Sequence, residues 1–295
     1  MSAGWKVWLE ASRPKTLPAA IVPVMVATAL AHAHGGASLA KAAVCLAFAL
    51  LVQIGTNFAN DYFDFVKGAD TAERVGPRRA VAAGLVTPRA MLIATGLVLA
   101  LAFAVGLLLV IEGGWLLVPV GVVSIVCAVA YTGGPYPLGY NGLGDVFVFV
   151  FFGLVAVAVT FFVQVGRAPG ADVWLAAAAL GALAANILVA NNYRDADTDA
   201  RAGKRTLVVR FGRRFARIQY AASVGFALLA PLTLWRLGYT WPVLAPVALA
   251  PWAIALARRL ENAANPAEQI AVLADTAKFL AFYGVLLSAG VVFGA

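Results

Sequence analysis

The sequence predicts an all-α integral membrane protein, a bundle of nine transmembrane helices with cytoplasmic cap loops and helices over a central cavity. Of the 295 residues, 62% are hydrophobic and only 12% are charged, whereas soluble domains are about half apolar and about a quarter charged. The apolar runs are continuous rather than alternating, which indicates helices and not a β-barrel. We expect residues 1–295 to form a single membrane-embedded domain.

Nine apolar runs approach the length of about 20 residues that a helix needs to cross a bilayer. They lie at 17–33, 39–58, 90–111, 115–131, 145–165, 172–190, 218–235, 239–257 and 276–294. Before the first run, Trp5, Lys6 and Trp8 predict a short helix at the membrane interface.

The distribution of basic residues predicts how the helices are oriented. With the N-terminus inside, the nine runs place all but three of the 22 basic residues on the cytoplasmic side. The exceptions are Lys41, Arg167 and Arg236. This agrees with the positive-inside rule, so we expect a multi-pass protein of the inner (cytoplasmic) membrane whose N-terminus and polar loops face the cytoplasm. The net charge of +8 then reflects topology, and nucleic-acid binding is not expected.

A polar stretch at the cytoplasmic end of the second run carries the first candidate site. At helical spacing Asn60 and Asp64 lie one turn apart, Asp61 and Asp64 lie three residues apart, and Asp70 follows. Acidic side chains at a bilayer boundary are costly unless they bind something. A hard divalent cation, which brings a phosphate with it, is the expected occupant; the alternative is a solvated helix end.

The end of the sixth run repeats this pattern. Asn191, Asp195 and Asp199 are four residues apart and share one helical face, whereas Asp197 points elsewhere. Two helices with the pattern Asn-x-x-x-Asp, each followed by a basic loop that contains glycine, indicate an internal duplication whose acidic faces converge. A solvated face would have to arise twice, so the repeat favours a binding site.

Basic and aromatic residues near these stretches are candidate ligands for an anionic substrate. The candidate cations are Arg13, Lys67, Arg74, Arg78, Lys204 and Arg205. Several of them lie in loops that are too long for simple connections, although Arg13 could equally anchor lipid headgroups. Tyr131 opens a connection rich in glycine and proline, where substrate contact and an interfacial aromatic belt explain the tyrosines equally well.

Two converging carboxylate clusters with basic rims can hold two Mg²⁺ ions bridged by a diphosphate. A long hydrocarbon tail on that diphosphate would explain why the polar site lies at one end of an apolar bundle. A secondary transporter for an anionic metabolite is a competing class, because repeats and intramembrane acids also mark transporters. Transporter sites, however, lie near the bilayer midplane, whereas both stretches lie at one face.

Five strings follow one another in order between residues 12 and 212. They are Arg13-Pro-Lys-Thr-Leu-Pro18, Asn60-Asp-Tyr-x-Asp-x-x-x-Gly-x-Asp70, Gly76-Pro-x-Arg79, Tyr131-Thr-Gly-Gly-Pro135, and Asn191-Asn-x-Arg-Asp195 continuing to Leu207. Together they resemble the intramembrane aromatic prenyltransferase superfamily (UbiA type), and most closely its 1,4-dihydroxy-2-naphthoate polyprenyltransferases (MenA type). Gly68 stands where the 4-hydroxybenzoate branch has an aspartate, and Asp70 follows as in the naphthoate branch.

The resemblance implies an Mg²⁺-dependent polyprenyltransferase with a lateral opening to the bilayer. The expected reaction joins the prenyl group of a polyprenyl diphosphate to 1,4-dihydroxy-2-naphthoate, with loss of CO₂, and gives demethylmenaquinone. Another aromatic acceptor such as 4-hydroxybenzoate, or terpene cyclisation, is the alternative within the superfamily. The implied catalytic residues are Asn60, Asp64, Tyr131, Asp195 and Asp199. The implied metal ligands are Asn60, Asp61, Asp64, Asp70, Asn191, Asp195 and Asp199.

Overall fold

The computed structural model describes residues 4–69 and 78–295, and in these two ranges it contains helices and loops but no strand. The helices, numbered in chain order, are α1 Trp5–Ala11, α2 Pro18–Ala33, α3 Leu39–Val66, α4 Pro88–Gly113, α5 Leu117–Ala130, α6 Gly144–Val165, α7 Ala171–Arg201, α8 Leu207–Arg236, α9 Trp241–Asn262 and α10 Pro266–Gly294. Helix α6 includes a π-helical stretch, Phe149–Val155, and α9 begins with the 3₁₀ stretch Trp241–Leu249.

Each of the nine predicted runs coincides with one of the helices α2 to α10. Seven of the described helices are long and apolar enough to cross a membrane, and an eighth span results if Trp5–Thr16 and Pro18–Ala33, bent by 55°, count as one. Helix α5 has only 14 residues, or roughly 21 Å at 1.5 Å per residue. The protein is therefore a multi-pass membrane protein with seven or eight described helices of spanning length, so the expected count of nine is approximate.

The helix ends form two groups at opposite sides of the bundle. At one side Lys41 pairs with Glu112 at 2.9 Å and His34 with Asp172 at 2.7 Å, which ties together the ends of α2, α3, α4 and α7. The two acidic stretches lie at the other side, where α3 and α7 end. This alternation agrees with the one predicted from the basic residues.

Helix α7 is the centre of the bundle. In its most apolar window 78% of the residues are buried, against 17% for α3. Small side chains allow close packing here: a Cβ added at Gly153 of α6 would come within 2.6 Å of the Cα of Gly181. The position of the second acidic stretch is thus set by a helix that is enclosed by protein along most of its length.

Both acidic stretches are helical because α3 and α7 continue past their apolar runs, to Val66 and Arg201. Gly68 lies two residues after the end of α3, and its φ of 67° lies in the left-handed region that glycine adopts without strain. The amide of Ala69 then donates to the carbonyl of Asp64 at 2.9 Å. Gly68 therefore terminates the helix, whatever its relation to the choice of aromatic acceptor.

Candidate active site

A cavity of about 320 Å³ lies among helices α2 to α7 and has one polar and one apolar end. Along α3 its lining runs from Asp64 to Cys45, a span of roughly 28 Å at 1.5 Å per residue. The polar end is lined by Arg13, Asn60, Asp64, Arg79, Tyr131, Asn191, Asp195, Asp199 and Lys204. The remaining wall is apolar and aromatic, with Phe48, Phe103, Phe147, Phe151 and Phe152 among its members.

Asp64 is held by three side chains at the polar end. It is 2% exposed, and its Oδ2 accepts a hydrogen bond from Nη2 of Arg79 at 2.9 Å. Its Oδ1 accepts from the Tyr140 hydroxyl at 2.7 Å and lies 3.4 Å from Nζ of Lys204. A buried carboxylate with these partners fixes three side chains at once.

The second acidic stretch is organised around Arg194, whose side chain is 1% exposed. Its Nε and Nη2 donate to the two carboxylate oxygens of Asp195 at 2.7 and 2.6 Å. Nη2 also donates to Oδ1 of Asn191 at 2.8 Å. Asn191, Arg194 and Asp195 thus form one hydrogen-bonded unit on α7 in which a two-pronged arginine contact sets the geometry.

Lys204 joins the two stretches. Its Nζ lies 3.4 Å from Oδ1 of Asp64 and 3.7 Å from Oδ1 of Asp199. The same ammonium lies 4.7 Å from the centre of the Tyr140 ring, and that of Lys67 lies 4.9 Å from it. Both distances are typical of cation–π contacts. The convergence predicted from the sequence repeat is therefore observed at the polar end of the cavity.

Lys67 sits at the rim of this cluster. Its Nζ donates to the carbonyl of Thr132 at 2.6 Å. Partial burial lowers the pKa of the Lys67 ammonium, while the nearby Asp64 carboxylate acts in the opposite direction. Thr132 in turn donates through Oγ1 to Oδ1 of Asn60 at 2.8 Å, so the Gly- and Pro-rich connection after α5 is bonded to both ends of the first acidic stretch.

Several other predicted site residues are not brought to the cavity. The side chains of Arg78 and Arg205 are exposed, and it is the backbone amide of Arg205 that donates to the carbonyl of Tyr140, at 2.7 Å. Asp70 and Arg74 lie outside the described residues. Asp197 is on the opposite face of α7 from the cavity, as predicted, and pairs at 3.0 Å with Arg213.

The environment of Asp61 differs from that of the other expected metal ligands on α3. It is 2% exposed and is not part of the cavity lining. Its Oδ2 accepts from the backbone amide of Ala80 at 2.9 Å and its Oδ1 from that of Val81 at 3.0 Å. Both oxygens are thus used by the loop that follows α3.

Sequence reasoning missed Arg79, Arg194 and Tyr140 as site residues. Arg79 is 8% exposed whereas its neighbour Arg78 is exposed, but helical spacing cannot separate two adjacent residues in a loop. By sequence, Arg194 is one of the basic residues that indicate topology. Its spacing of three residues from Asn191 on a helix carried a usable signal, because side chains three apart are neighbours.

The oxygen-rich polar end is chemically suited to Mg²⁺. Within residues 4–69 and 78–295, no group of three or more His, Cys, Asp or Glu side chains lies close enough to hold a metal ion by itself. Mg²⁺ is commonly held by one or two carboxylates together with substrate phosphates rather than by a cage made only of protein. Asp64, Asp195 and Asp199, with the amide oxygens of Asn60 and Asn191, fit that mode of binding.

Helices α5 and α6 both line the cavity but pack little against each other among the described residues. In the described part of the chain α5 packs against α3 and α4 and makes no comparable contact with α6, the next helix in sequence. Tyr131 directly follows α5 and lines the cavity. A Cβ at Gly144, the first residue of α6, would come within 2.8 Å of the Tyr131 hydroxyl, so glycine leaves room for that group.

Residues 20–290 match the UbiA prenyltransferase family, well past Leu207, where the last of the five sequence strings ends. A 1,4-dihydroxy-2-naphthoate octaprenyltransferase of Mycobacterium tuberculosis is 40% identical over 295 residues, which is 99% of both chains. The Escherichia coli protein of the same description is 37% identical and covers 97% of this chain and 95% of its own.

Solved structures share the fold at low sequence identity. A UbiA homolog from Aeropyrum pernix is 16% identical with a TM-score of 0.70, covering 94% of this chain and 97% of its own. A UbiA homolog from Archaeoglobus fulgidus bound to DMAPP and Mg²⁺ is 16% identical with a TM-score of 0.65, covering 95% and 99%.

Proposed function

This chain belongs to the UbiA prenyltransferase family, and from that premise we propose that it transfers a polyprenyl group from polyprenyl diphosphate to 1,4-dihydroxy-2-naphthoate in menaquinone synthesis. The observation that carries the proposal is the convergence of two acidic stretches on Lys204 at the polar end of an apolar cavity. The names of the curated relatives support the acceptor. A transporter, the competing class from the sequence, lacks such support.

In this proposal the polar end binds the diphosphate. Lys204 and Arg79 reach the carboxylates from opposite sides of Asp64, and Arg13 and Lys67 lie beside them. Cations held in a partly buried site neutralise the multiply charged diphosphate leaving group more effectively than cations in water. Asn60, Asp64, Asn191, Asp195 and Asp199 would hold Mg²⁺, which when bound stabilises negative charge on the departing diphosphate. The solved relative with DMAPP and Mg²⁺ supports this role, and we propose two ions.

The reaction that fits this site is an electrophilic aromatic prenylation. The allylic C–O bond breaks and its electron pair goes to the diphosphate, leaving an allylic cation. The electron-rich naphthoate ring attacks that cation through the carbon that bears the carboxylate, and the carboxylate leaves as CO₂ with its bonding pair returned to the ring. Tyr131 and Tyr140 offer ring faces to the cation, and the phenylalanine-rich wall excludes water from it.

The prenyl tail would lie in the apolar part of the cavity and leave between α5 and α6, which pack little against each other. This arrangement places the diphosphate at the membrane surface and the tail within the bilayer thickness. We propose that the whole of 1–295 is one domain in the cytoplasmic membrane with its polar end facing the cytoplasm. The match over residues 20–290 and the distribution of basic residues support this.

Gly121 gives a test of the tail path. It lines the cavity, and a Cβ there would meet only the Phe48 ring, at 4.0 Å. A leucine at this position would project into the path of a long tail about 15 Å below Tyr131, counted along α5 at 1.5 Å per residue. We expect Gly121→Leu to lower kcat/KM for octaprenyl diphosphate about tenfold and to leave geranyl diphosphate, whose tail is short, nearly unaffected.

Gly96→Leu is the matched control, because Gly96 is exposed on α4 and a Cβ there meets nothing within 4 Å. That variant should behave as wild type with both donors. An equal loss for the short and the long donor in Gly121→Leu would place the tail elsewhere.

The acceptor is tested by competition in membranes supplied with one prenyl diphosphate. We expect 1,4-dihydroxy-2-naphthoate to be prenylated at least about tenfold faster than 4-hydroxybenzoate, and the product to lack the carboxylate by mass spectrometry. Preference for 4-hydroxybenzoate would refute the acceptor and leave the prenyltransferase class intact. A cyclic hydrocarbon formed without any acceptor would instead favour terpene cyclisation.

A further inference from the structure

Two aspartates of α3 hold three consecutive residues of the loop that leads into α4. Asp64 binds the side chain of Arg79 through Oδ2 at 2.9 Å. Asp61, one helical turn earlier, accepts the backbone amides of Ala80 at 2.9 Å and Val81 at 3.0 Å. Asp64 lines the cavity and Asp61 does not, but the two carboxylates hold adjacent residues of the same short loop segment.

The held segment is a compact turn. The amide of Ala83 donates to the carbonyl of Arg79 and that of Leu85 to the carbonyl of Ala80, both at 3.0 Å. Ala80 and Val81 are buried and belong to an apolar cluster with Phe58, Val86, Met91 and Ala11. The apolar side of the turn is thus packed beneath α1 and against α3, while Arg79 points towards the cavity.

We propose that Asp61 is a positioning residue that aims Arg79 at Asp64 and the diphosphate, and that it is not a ligand of Mg²⁺. Two charge-assisted bonds to adjacent backbone amides fix both the position and the direction of the chain immediately after Arg79. The guanidinium can then reach the cavity in one orientation, without the entropy cost of ordering a free loop when substrate binds. The role of Arg79 in this inference rests on the proposed function. The contact of Asp61 with the loop does not depend on it.

The contact is tested without any activity measurement, by hydrogen–deuterium exchange of the purified protein. In Asp61→Asn one oxygen becomes an NH₂ group that faces an N–H donor, so at least one of the two bonds is lost. We expect the amides of Ala80 and Val81 to exchange at least about tenfold faster in this variant. Removal of divalent cations with EDTA from the wild type should leave these amides protected, because no metal is needed to hold them.

Asp197→Asn is the matched control for the exchange experiment, since Asp197 is exposed and pairs with Arg213 at 3.0 Å outside the cavity. Its exchange at residues 80 and 81 should equal that of the wild type. Unchanged exchange in Asp61→Asn, or exchange in the wild type that rises on chelation, would overturn the proposal.

Kinetics separate positioning from metal binding. We expect Asp61→Asn to raise the KM for prenyl diphosphate about tenfold and to leave the Mg²⁺ concentration for half-maximal rate unchanged. In an Arg79→Gln background, Asp61→Asn should have little further effect, because the group that it positions is already gone. If the effects of the two substitutions on the KM were additive, or if the Mg²⁺ concentration for half-maximal rate changed, Asp61 would instead be a ligand of Mg²⁺.

Ala80→Pro provides a second variant if Asp61→Asn yields little folded protein. It removes one of the two N–H donors and keeps the carboxylate intact. We expect the same rise in KM for prenyl diphosphate, and a normal KM would count against the proposal. If the wild type catalysed no prenyl transfer, the proposed function would be refuted. The exchange experiment would still test the contact of Asp61 with the loop, because it needs no activity.

Discussion

Asp64→Asn is expected to lower prenyl transfer by at least about 10³-fold. Asp64 lies 2.9 Å from Arg79 and 3.4 Å from Lys204, so the substitution removes the negative charge that holds both cations in a buried site. It also replaces a carboxylate by a weaker oxygen ligand for a hard cation. The rate should be measured with purified protein over a range of Mg²⁺ concentrations, together with thermal unfolding to show that the variant is folded.

Asp195→Asn and Asp199→Asn are expected to be as inactive as Asp64→Asn. Asp197→Asn is the matched control, because it lies on the same helix but is exposed and pairs with Arg213. It should retain at least about half of the wild-type rate, as exposed ion pairs contribute little. An active Asp195→Asn protein, or an Asp197→Asn protein as impaired as the others, would refute the assignment of the faces of α7.

Lys204→Ala is expected to lower kcat/KM for prenyl diphosphate about 10²-fold. Its ammonium lies between Asp64 and Asp199, at 3.4 and 3.7 Å, where a diphosphate between the two stretches would meet it. Without the positive charge of Lys204, the negative charges of Asp64 and Asp199 repel each other more strongly. The measurement is a steady-state comparison of the prenyl donor and the aromatic acceptor, with the donor expected to show the larger change.

Arg205→Ala is the control for Lys204→Ala, since the two residues are adjacent and both basic. The Arg205 side chain is exposed, and the residue contacts Tyr140 through its backbone amide at 2.7 Å, a bond that alanine retains. We expect a change in kcat/KM of less than about threefold. Equal effects of the two substitutions would mean that the loop cations act through general charge rather than through position.

The architecture could be predicted because each apolar run is continuous and the basic residues mark one side of the membrane. The acidic faces could be predicted because α3 and α7 remain helical past the apolar runs, so spacing of four residues places Asn191, Asp195 and Asp199 together. The same rule placed Asp197 away from the site, and the structure agrees. Sequence periodicity is informative wherever the backbone is regular.

Sequence spacing gives no guidance where loop conformation, or contacts between residues distant in sequence, decide where a side chain lies. Arg78 and Arg79 are equivalent in sequence, and only the turn after α3 exposes one and buries the other. Asp61 looks like a metal ligand because it lies three residues from Asp64. Its actual partners, Ala80 and Val81, are some 20 residues away and offer backbone amides, which carry no sequence signal.

The central position of α7 limits how this protein can change over generations. Helices that face lipid can exchange one large apolar residue for another, since the surrounding hydrocarbon adapts to their shape. Helix α7 is enclosed by protein, with Ala176, Ala177 and Leu180 fully buried, so its substitutions are limited by volume, and added methylenes there displace the backbone. Because Asp195 and Asp199 belong to the same helix, a size change deep in the bundle would be transmitted along α7 to these two carboxylates at the polar end of the cavity. We therefore expect drift on α7 to be slow, even at alanines far from any substrate.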